Sequence, residues 1–333
     1  MADATPILVI TGPTASGKER LALAVAERLD GEIISADSMK VYRGLDVGTA
    51  KPSPEDRRRV PHHAIDVADP DETFSAARWL ELADAAVADV RACGKVTVVS
   101  GGTPFYLKAL LEGLFEGPDA DPALRRRLRD EAEERGSAHL HARLARVDPE
   151  AAGRIHPNDL RRIVRALEVH EKTGRPISDL QRQWGERRPE YRPLLVALRR
   201  SRDDLTRRIT DRARRMLDGG LVEEVRTLLD RWGHLAKGPS QALGYAEVLA
   251  YLRGDLAEDD LLDAVVAHTR QFARRQTSWL RRFEGVTWLS ADPDTPTAAL
   301  ADRVVGLWQA HANQDTREDS LAQGRKQPGE NTA

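Results

Sequence analysis

Short apolar runs alternate with amphipathic segments over the first third of the chain. Runs rich in β-branched residues lie at 7–11, 32–35 and 96–100. Between these runs, apolar residues recur at helical spacing over 18–29 and over 73–92, where the second segment opens on a threonine cap. Because strands that alternate with helices form βαβ units, the pattern predicts an α/β fold with a parallel sheet.

After Gly113 the pattern becomes mostly helical, and no strand signal returns until 193–198. Apolar spacing predicts further helices at 121–135, 138–146, 159–172, 203–217, 221–232 and 259–283. The apolar runs 194–198 and 286–289 predict two more strands. The sheet core is therefore predicted to resume, in mostly helical form, beyond a helical insertion.

These changes of pattern divide the chain. The predicted segments are a first core part at 1–115, an all-helical insertion at 116–192, a second core part at 193–312 and a tail at 313–333. The tail is polar and contains Gly, Pro, Asn and Gln, which predicts disorder.

Composition narrows the class of protein. Hydrophobic residues make up 41% of the 333 residues, enough for a sizeable core. The single cysteine, Cys93, excludes a disulfide framework, and His62-His63 has no second ligand cluster that would indicate a metal site. No apolar run approaches the roughly 20 residues of a membrane span, and the N-terminus lacks a signal pattern. We therefore expect a cytoplasmic protein without membrane association.

Positive charge is concentrated in one region. Residues 154–215 contain 18 Lys and Arg against 9 Asp and Glu, although the whole chain has a net charge of −2. Such a block indicates a polyanionic partner such as nucleic acid, or a set of solvated helix faces. Arg161, Arg162 and Arg165 share one flank of a predicted helix, which suits phosphate contacts. Arg208 and Arg212 lie one helical turn apart, where they bind an anion or pair with neighbouring aspartates.

The predicted first strand leads into Gly-Pro-Thr-Ala-Ser-Gly-Lys at 12–18. A glycine-bounded loop between strand and helix gathers backbone N–H groups at a positive helix end, and the G-x-x-x-x-G-K spacing adds an ammonium. Alone, this loop indicates a P-loop NTPase-like site for a nucleotide such as ATP. Glu19 follows Lys18, where the usual loop has a Ser or Thr that ligates Mg²⁺. A carboxylate is able to hold Mg²⁺ directly or through water.

Polar residues also follow the next two predicted strands. Asp37 comes after the second strand, and Thr103 follows Gly101-Gly102 after the third. The carboxyl ends of parallel strands open onto one crevice, so both side chains are expected beside the phosphate loop. Asp37 is placed to accept a proton or hold Mg²⁺, or else to form an Asx turn. Thr103 is either a helix cap ahead of Pro104 or a hydroxyl of the site.

Together these segments resemble the tRNA dimethylallyltransferase (tRNA isopentenyltransferase) family, from about residue 6 to about residue 290. The motifs that carry the resemblance are 12–18, Asp37-Ser38, 41–52, 61–63, Asp66-Val67, 101–103, 106–114, 154–159, 165–169, Gly244-Tyr245, 269–271 and 274–276. Glu19 departs from the family's usual Thr or Ser. Ala246-Glu247 stands where the family commonly has a basic residue.

The resemblance implies a reaction and its partners. A dimethylallyl group would pass from dimethylallyl diphosphate to N6 of adenosine 37 in tRNA, giving N6-dimethylallyladenosine, with Mg²⁺ as cofactor. The target base would turn out of the anticodon loop into the pocket, and the helical insertion would hold the anticodon stem-loop. A monomer is expected.

The resemblance also implies site residues. Asp37 matches the family's general base, and Thr103 matches a residue of the channel wall that positions diphosphate or adenine. The residues implied for the diphosphate are Gly12, Pro13, Thr14, Ala15, Ser16, Gly17, Lys18, Glu19 and Arg212. Those implied for tRNA are Asp37, Ser38, Met39, Lys40, Arg125, Arg161, Arg162, Ile163, Val164, Arg165, Gln241, Ala242, Leu243, Gly244, Tyr245 and Ala246.

Two other functions fit part of the sequence. A small-molecule or nucleoside kinase of the same fold would explain the loop, but it calls for a Ser or Thr after Lys18 and leaves the basic insertion without a role. A non-catalytic RNA-binding protein would explain the basic charge and leave the phosphate loop without a ligand.

Overall fold

The computed structural model describes residues 4–115, 117–182 and 186–324. Within these residues six parallel strands form one sheet in the order β3-β2-β4-β1-β5-β6. The strands are β1 Thr5–Thr11, β2 Gly31–Ser35, β3 His62–His63, β4 Val96–Gly101, β5 Tyr191–Arg199 and β6 Val286–Ser290. The predicted α/β class with a parallel sheet is confirmed.

Helices connect and cover these strands. Those before β5 are α1 Lys18–Arg28, α2 Pro54–Arg59, α3 Ala76–Ala92, α4 Pro104–Glu112, α5 Pro122–Arg135, α6 Ser137–Val147, α7 Pro149–Arg154, α8 Leu160–Thr173 and α9 Ile177–Leu180. Those after β5 are α10 Arg202–Asp218, α11 Leu221–Trp232, α12 Lys237–Ser240, α13 Tyr245–Leu252, α14 Glu258–Leu280 and α15 Thr297–Gly324. None of the helices in the described ranges combines the length and the apolarity needed to cross a bilayer.

The chain forms two compact units. One contains the chain up to Leu110 and again from Pro189, and the other is Leu111–Arg188. The N–H of Arg188 donates to the carbonyl of Leu111 at 2.8 Å, which ties together the two ends of the second unit. The second unit therefore starts five residues before the predicted start of the insertion at 116, and it ends four residues before the predicted end at 192. Residue 116 itself lies outside the described residues.

The first unit is organised around the central strands. β1 lies between β4 and β5, and Ile10 is in register with Ser100 on one side and Val196 on the other. Leu8 and Ile10 are buried with Val25 of α1 and Val304 of α15 in one apolar cluster. Because all neighbours are parallel, the carboxyl ends of β1, β2 and β4 meet at the same edge of the sheet.

The second unit has an apolar core of its own, built by helices alone in the residues described. Leu128 of α5, Leu140 and Leu144 of α6, and Ile163 and Leu167 of α8 are fully or almost fully buried in it. Aspartate side chains cap its helices: Asp121, for example, accepts the N–H groups of two residues in the first turn of α5.

Several element boundaries differ from the prediction. α3 begins at Ala76 rather than at residue 73, because the hydroxyl of Ser75 accepts the N–H of Arg78 and caps the helix. His62 and His63 form the edge strand β3, which a run of two residues gave no means of predicting. The tail predicted to be disordered from 313 is instead helical up to Gly324, as the continuation of α15. Its remainder, 325–333, lies outside the described residues.

Candidate active site

The phosphate loop turns tightly between β1 and α1. Gly12 has φ +152°, and a Cβ there would lie 2.8 Å from Oγ of Ser16 and 3.2 Å from the carbonyl oxygen of Leu198. The N–H of Ser16 donates to the carbonyl of Pro13 at 3.1 Å, which closes the turn. Oγ of Ser16 is buried and has no hydrogen-bond partner within the described ranges. The loop therefore presents a polar group with unused bonding capacity as well as its backbone N–H groups.

Gln276 of α14 joins the phosphate loop to the end of β4. The N–H of Thr14 donates to Oε1 of Gln276 at 2.7 Å, and Nε2 of Gln276 donates to the carbonyl of Gly102 at 2.6 Å. Gln276 is only 3% exposed. A Cβ on Gly102 would lie 2.4 Å from Nε2 of Gln276, so a side chain there would displace this amide. Sequence reasoning placed Gln276 in a family motif without assigning it a role.

Two arginines after β5 support the loop from its carbonyl side. Nε of Arg208 donates to the carbonyl of Ala15 at 2.8 Å, and Nε of Arg200 donates to the carbonyl of Ser16 at 2.6 Å. Burial lowers the pKa of Arg208, and the charge of Arg200 lowers it further. Asp204 accepts from Arg200 and Arg207 instead of from Arg208. Of the two alternatives for Arg208, the structure therefore does not show the aspartate pair; the guanidinium bonds to the loop backbone instead.

Arg212 lies in a small cavity next to the loop. The cavity has a volume of about 30 Å³ and is lined by Thr14, Gly48, Ile209, Arg212, Ala213, Met216, Leu243, Val265 and Thr269. Among the residues described, no hydrogen bond or ion pair engages its guanidinium. Burial lowers the pKa of Arg212, whereas the charges of Asp37 and Glu19 raise it. An arginine stays protonated in proteins, so the cavity holds an available cation with mostly apolar walls.

Glu19 and Lys40 form an ion pair at the start of α1. Nζ of Lys40 lies 3.3 Å from Oε2 of Glu19, and Oγ of Ser100 lies 3.5 Å from the same oxygen. Burial raises the pKa of Glu19, but the ammonium groups of Lys40 and Lys18 outweigh burial and lower this pKa to about 2. Glu19 is therefore ionised at neutral pH. Burial lowers the pKa of Lys18, and the charges of Glu19 and Asp37 oppose that change.

Asp37 and Thr103 meet through Ser38. Oδ1 of Asp37 accepts the N–H of Met39 at 2.9 Å and, more weakly, that of Lys40 at 3.4 Å, so the predicted Asx turn is present. Across the described residues no hydrogen bond reaches Oδ2. The N–H of Ser38 donates to Oγ1 of Thr103 at 3.0 Å. Thr103 precedes α4, yet its hydroxyl contacts Ser38, which places it in the site beside Asp37.

Glu224 of α11 holds the loop that lines the cavity. Its Oε2 accepts the N–H of Asp46 at 3.0 Å and that of Val47 at 2.7 Å. Its Oε1 accepts the hydroxyl of Tyr245 at 2.6 Å. A Cβ on Gly48 would lie 2.3 Å from the ring of Tyr245, so the ring packs directly on this loop. Sequence reasoning missed Glu224, which lies in an ordinary helical pattern with no local signal.

The segment 241–246, expected to contact tRNA, is mostly internal. Gln241 is exposed, but Ala242 is 7% exposed and Tyr245 is fully buried. Burial and the neighbouring Glu224 raise the pKa of Tyr245, so its hydroxyl remains a donor. Glu247 accepts the N–H of Gly244 at 2.7 Å and contacts Nδ1 of His268 at 2.5 Å. The departure at Glu247 is therefore a helix cap.

In the second unit, Glu168 organises the predicted tRNA-binding arginines. It is fully buried and accepts from Nε and Nη2 of Arg125, both at 2.8 Å, and from Nη1 of Arg165 at 2.6 Å. Ile163 and Val164, also predicted to contact tRNA, are buried in the core of this unit. The exposed members of the predicted set here are Arg161 and Arg162.

The structure thus assembles one group of the predicted residues in the first unit: the loop 12–18, Glu19, Asp37, Thr103 and Arg212. In the described ranges no three His, Cys, Asp or Glu side chains converge as a metal site would require. The group combines an anion-binding loop, buried cations and a carboxylate with one free oxygen. Such a site is able to stabilise a leaving phosphate group and to accept a proton.

Comparisons with known proteins agree with this chemistry. A family model described as IPP transferase matches residues 40–283. A tRNA dimethylallyltransferase of Methylococcus capsulatus is 50% identical over 306 residues, which cover 91% of this chain and 96% of its own. A second one, of Anaeromyxobacter dehalogenans, is 50% identical over 298 residues, which cover 90% of this chain and 98% of its own.

Solved structures agree as well. A tRNA isopentenylpyrophosphate transferase of Bacillus halodurans has a TM-score of 0.67 and 34% identity, covering 94% of this chain and 100% of that chain. A eukaryotic dimethylallyltransferase acting on tRNA has a TM-score of 0.74 and 26% identity, covering 98% of this chain and 81% of that chain. The resemblance found in the sequence is confirmed: the chain belongs to the IPP transferase family of tRNA-modifying prenyltransferases.

Proposed function

We propose that this enzyme transfers a dimethylallyl group from dimethylallyl diphosphate to N6 of adenosine 37 in tRNA. The observation that supports it most is the arrangement of the phosphate loop, Asp37 and Thr103 at the carboxyl ends of three adjacent strands. An exocyclic amine is a weak nucleophile, so the allylic carbon must gain positive charge as diphosphate departs. The main requirement is therefore stabilisation of the leaving anion.

The donor would bind with its diphosphate at the loop. The N–H groups of Thr14 and Ser16 are bonded to Gln276 and Pro13, which leaves the other backbone N–H groups of the loop for the diphosphate. The Lys18 ammonium and the Arg212 guanidinium add positive charge around that position. The apolar wall formed by Ile209, Met216 and Val265 lies beside Arg212 and Thr14 and suits the hydrocarbon part of the donor. The diphosphate and the hydrocarbon chain of the donor would therefore contact neighbouring parts of the first unit.

Mg²⁺ is proposed as the cofactor, and Glu19 is the residue that would hold it. Mg²⁺ binds through one or two carboxylates together with substrate phosphates rather than in an all-protein cage. Glu19 is ionised, its side chain is 39% exposed, and within the described residues its Oε1 accepts no hydrogen bond. When bound, the metal ion would offset charge on the diphosphate.

Asp37 would receive the proton that the reaction releases. As N6 bonds to the allylic carbon, the carbon–oxygen bond to diphosphate breaks and N6 must lose one proton. Oδ1 of Asp37 is fixed by the N–H groups of Met39 and Lys40, which leaves Oδ2 to accept the N6 hydrogen. Thr103 fixes Ser38, the next residue, and so holds this carboxylate in place.

The tRNA would be bound through its anticodon stem-loop, with the target base turned out of the stack. The exposed guanidinium group of Arg161 in the second unit is suited to a backbone phosphate, whereas the exposed Arg162 already lies 3.4 Å from Asp159. The enzyme is proposed to act as a cytoplasmic monomer, since each tRNA presents one target base.

The test is transfer of label from dimethylallyl diphosphate to tRNA carrying adenosines at positions 36 and 37, with Mg²⁺ present. The expected product is N6-dimethylallyladenosine in the nucleoside digest, and a tRNA with guanosine at position 37 is the control. Absence of transfer together with ATP-dependent phosphorylation of a small molecule would instead support a kinase.

A further inference from the structure

Lys40 is a buried cation whose ammonium group has more hydrogen-bond donors than acceptors around it. It is 2% exposed, and Nζ lies 3.3 Å from Oε2 of Glu19. An ammonium group carries three N–H donors. Over the residues that the structure describes, Nζ has no acceptor besides this carboxylate. Since buried donors are normally satisfied, the remaining N–H groups indicate a ligand that is present during function.

The position of this ion pair identifies the ligand. Glu19 directly follows Lys18, at the place where a phosphate loop usually carries a Mg²⁺-binding hydroxyl. Lys40 is close enough to Lys18 to lower its pKa, after the larger effect of burial. The carboxylates of Glu19 and Asp37 oppose the positive charges of Lys18, Lys40 and Arg212, which leaves a positive excess at the loop. A diphosphate is the anion that such a site would bind.

We propose that Lys40 is a second diphosphate-binding ammonium, held beside the loop by Glu19, which lets the site bind diphosphate without Mg²⁺. The inference rests on the proposed function, since it requires a diphosphate at the loop. On binding, the N–H groups of Lys40 that do not contact Glu19 donate to diphosphate oxygens, and these charge-assisted bonds strengthen as the leaving group gains charge. The burial of Lys40 argues against the tRNA contact implied for it by the resemblance.

Inorganic pyrophosphate is the probe, and its dissociation constant is measured by calorimetry in EDTA and again in Mg²⁺. In EDTA, wild-type protein should bind pyrophosphate, and Lys40→Met should weaken this binding about tenfold or more. Mg²⁺ should recover most of the loss. Lys40→Arg, which keeps the charge, should bind within a few-fold of wild type. Lys95→Met is the matched control, because Lys95 pairs with Glu32 at the far end of β2.

Lys40→Met leaves the Glu19 carboxylate without its partner and so affects stability as well as binding. A double variant that removes both charges avoids this problem. Glu19→Ser with Lys40→Gln removes the ion pair and restores a hydroxyl after Lys18, so its pyrophosphate binding should require Mg²⁺. Binding by Lys40→Met or by the double variant that equals wild type in EDTA would overturn the proposal, as would wild-type binding that needs Mg²⁺. Failure of wild type to bind pyrophosphate in either condition would overturn the proposed function itself.

Discussion

Arg208 of α10 donates a hydrogen bond from Nε to the carbonyl of Ala15, 2.8 Å away in the phosphate loop. Ala15 has φ +63°, a left-handed conformation that residues with a Cβ adopt at a cost. The guanidinium therefore holds a strained turn whose amide groups must face the ligand. This bond makes the geometry of the anion site depend on a helix that begins after β5.

Removal of that bond should weaken donor binding. In Arg208→Met we expect the KM for dimethylallyl diphosphate to rise about tenfold, because the loop loses its external support, while the Kd for tRNA stays near wild type. Steady-state kinetics with varied donor and a separate tRNA binding assay provide the measurement. Arg207→Met is the control, since the neighbouring Arg207 pairs only with Asp204 in the part of the chain that the structure describes. Equal donor KM values for the two variants would contradict the prediction.

Asp37→Asn should separate the turn from the chemistry. Asparagine keeps an oxygen that accepts the Met39 N–H but is a far weaker proton acceptor, so kcat should fall by about 10²- to 10⁴-fold. Single-turnover kinetics and tRNA binding are measured together, and the tRNA Kd should change little. Asp37→Ala, which loses the turn as well, should lower Tm in addition to rate. A nearly wild-type rate in Asp37→Asn would show that Asp37 is a turn residue only.

Glu168→Gln should destabilise the protein by about 3 kcal/mol, because Arg125 and Arg165 lose the buried charge that pairs them. Burial raises the pKa of Glu168, but the bonds from Arg125, the Asp121 N–H and Arg165 lower it further than burial raises it. A carboxyl with a lowered folded-state pKa stabilises above its ordinary value of roughly 4.3 and ceases to do so as the pH falls.

The difference in unfolding free energy between wild type and Glu168→Gln should therefore be largest near neutral pH and shrink on acidification. Denaturant unfolding at several pH values measures it. Glu171→Gln is the matched control on the same helix, since Glu171 is partly exposed where it pairs with Arg127 and Arg143, and its loss should cost under about 1 kcal/mol. A difference in unfolding free energy that grows toward acid pH would contradict a lowered pKa of Glu168 in the folded state.

Arg161→Ala should weaken tRNA binding and reduce its salt dependence. Arg161 is exposed on α8, so a phosphate contact there would release counterions, and its loss should lower the slope of log K against log salt by about one. Arg182→Ala serves as the control, because Arg182 is also exposed but pairs with Asp179 on α9. An unchanged slope for Arg161→Ala would argue against the contact.

The sequence predicted local features of the site well, because local patterns carry them. The end of β1, the phosphate loop and the start of α1 at Lys18 follow from an apolar run, two glycines and helical spacing. The positions of Asp37 and Thr103 follow from the parallel sheet, whose strands end at one edge. The sequence alone did not decide between a turn and a catalytic role for Asp37, or between a helix cap and a site hydroxyl for Thr103. The turn at Asp37 and the bond from Ser38 to Thr103 are visible only in the structure.

Partners that are distant in sequence were beyond prediction. The acid in Arg165-Ala166-Leu167-Glu168 has the pattern of an exposed helical residue, and only the fold shows that it is buried under two arginines. Lys40 belongs to a segment expected to contact tRNA, yet its ammonium is internal. The count of charges in 154–215 did not distinguish exposed arginines from internal ones. Arg200 and Arg208 donate to backbone carbonyls, and Arg165 donates to the buried Glu168, so these arginines do not face a partner.

The hydrogen bond from Thr14 to Gln276 determines when, during translation, the donor site is able to form. Thr14 lies in the loop after β1, whereas the acceptor for its N–H lies 262 residues later and is translated long after it. Arg200, Arg208 and the strand that completes one side of β1 are also synthesised late. A nascent chain therefore contains the phosphate loop before α14 is made and has its binding geometry only after α14 has emerged. Donor affinity measured on ribosome-stalled chains should appear abruptly once α14 has emerged, rather than grow with length.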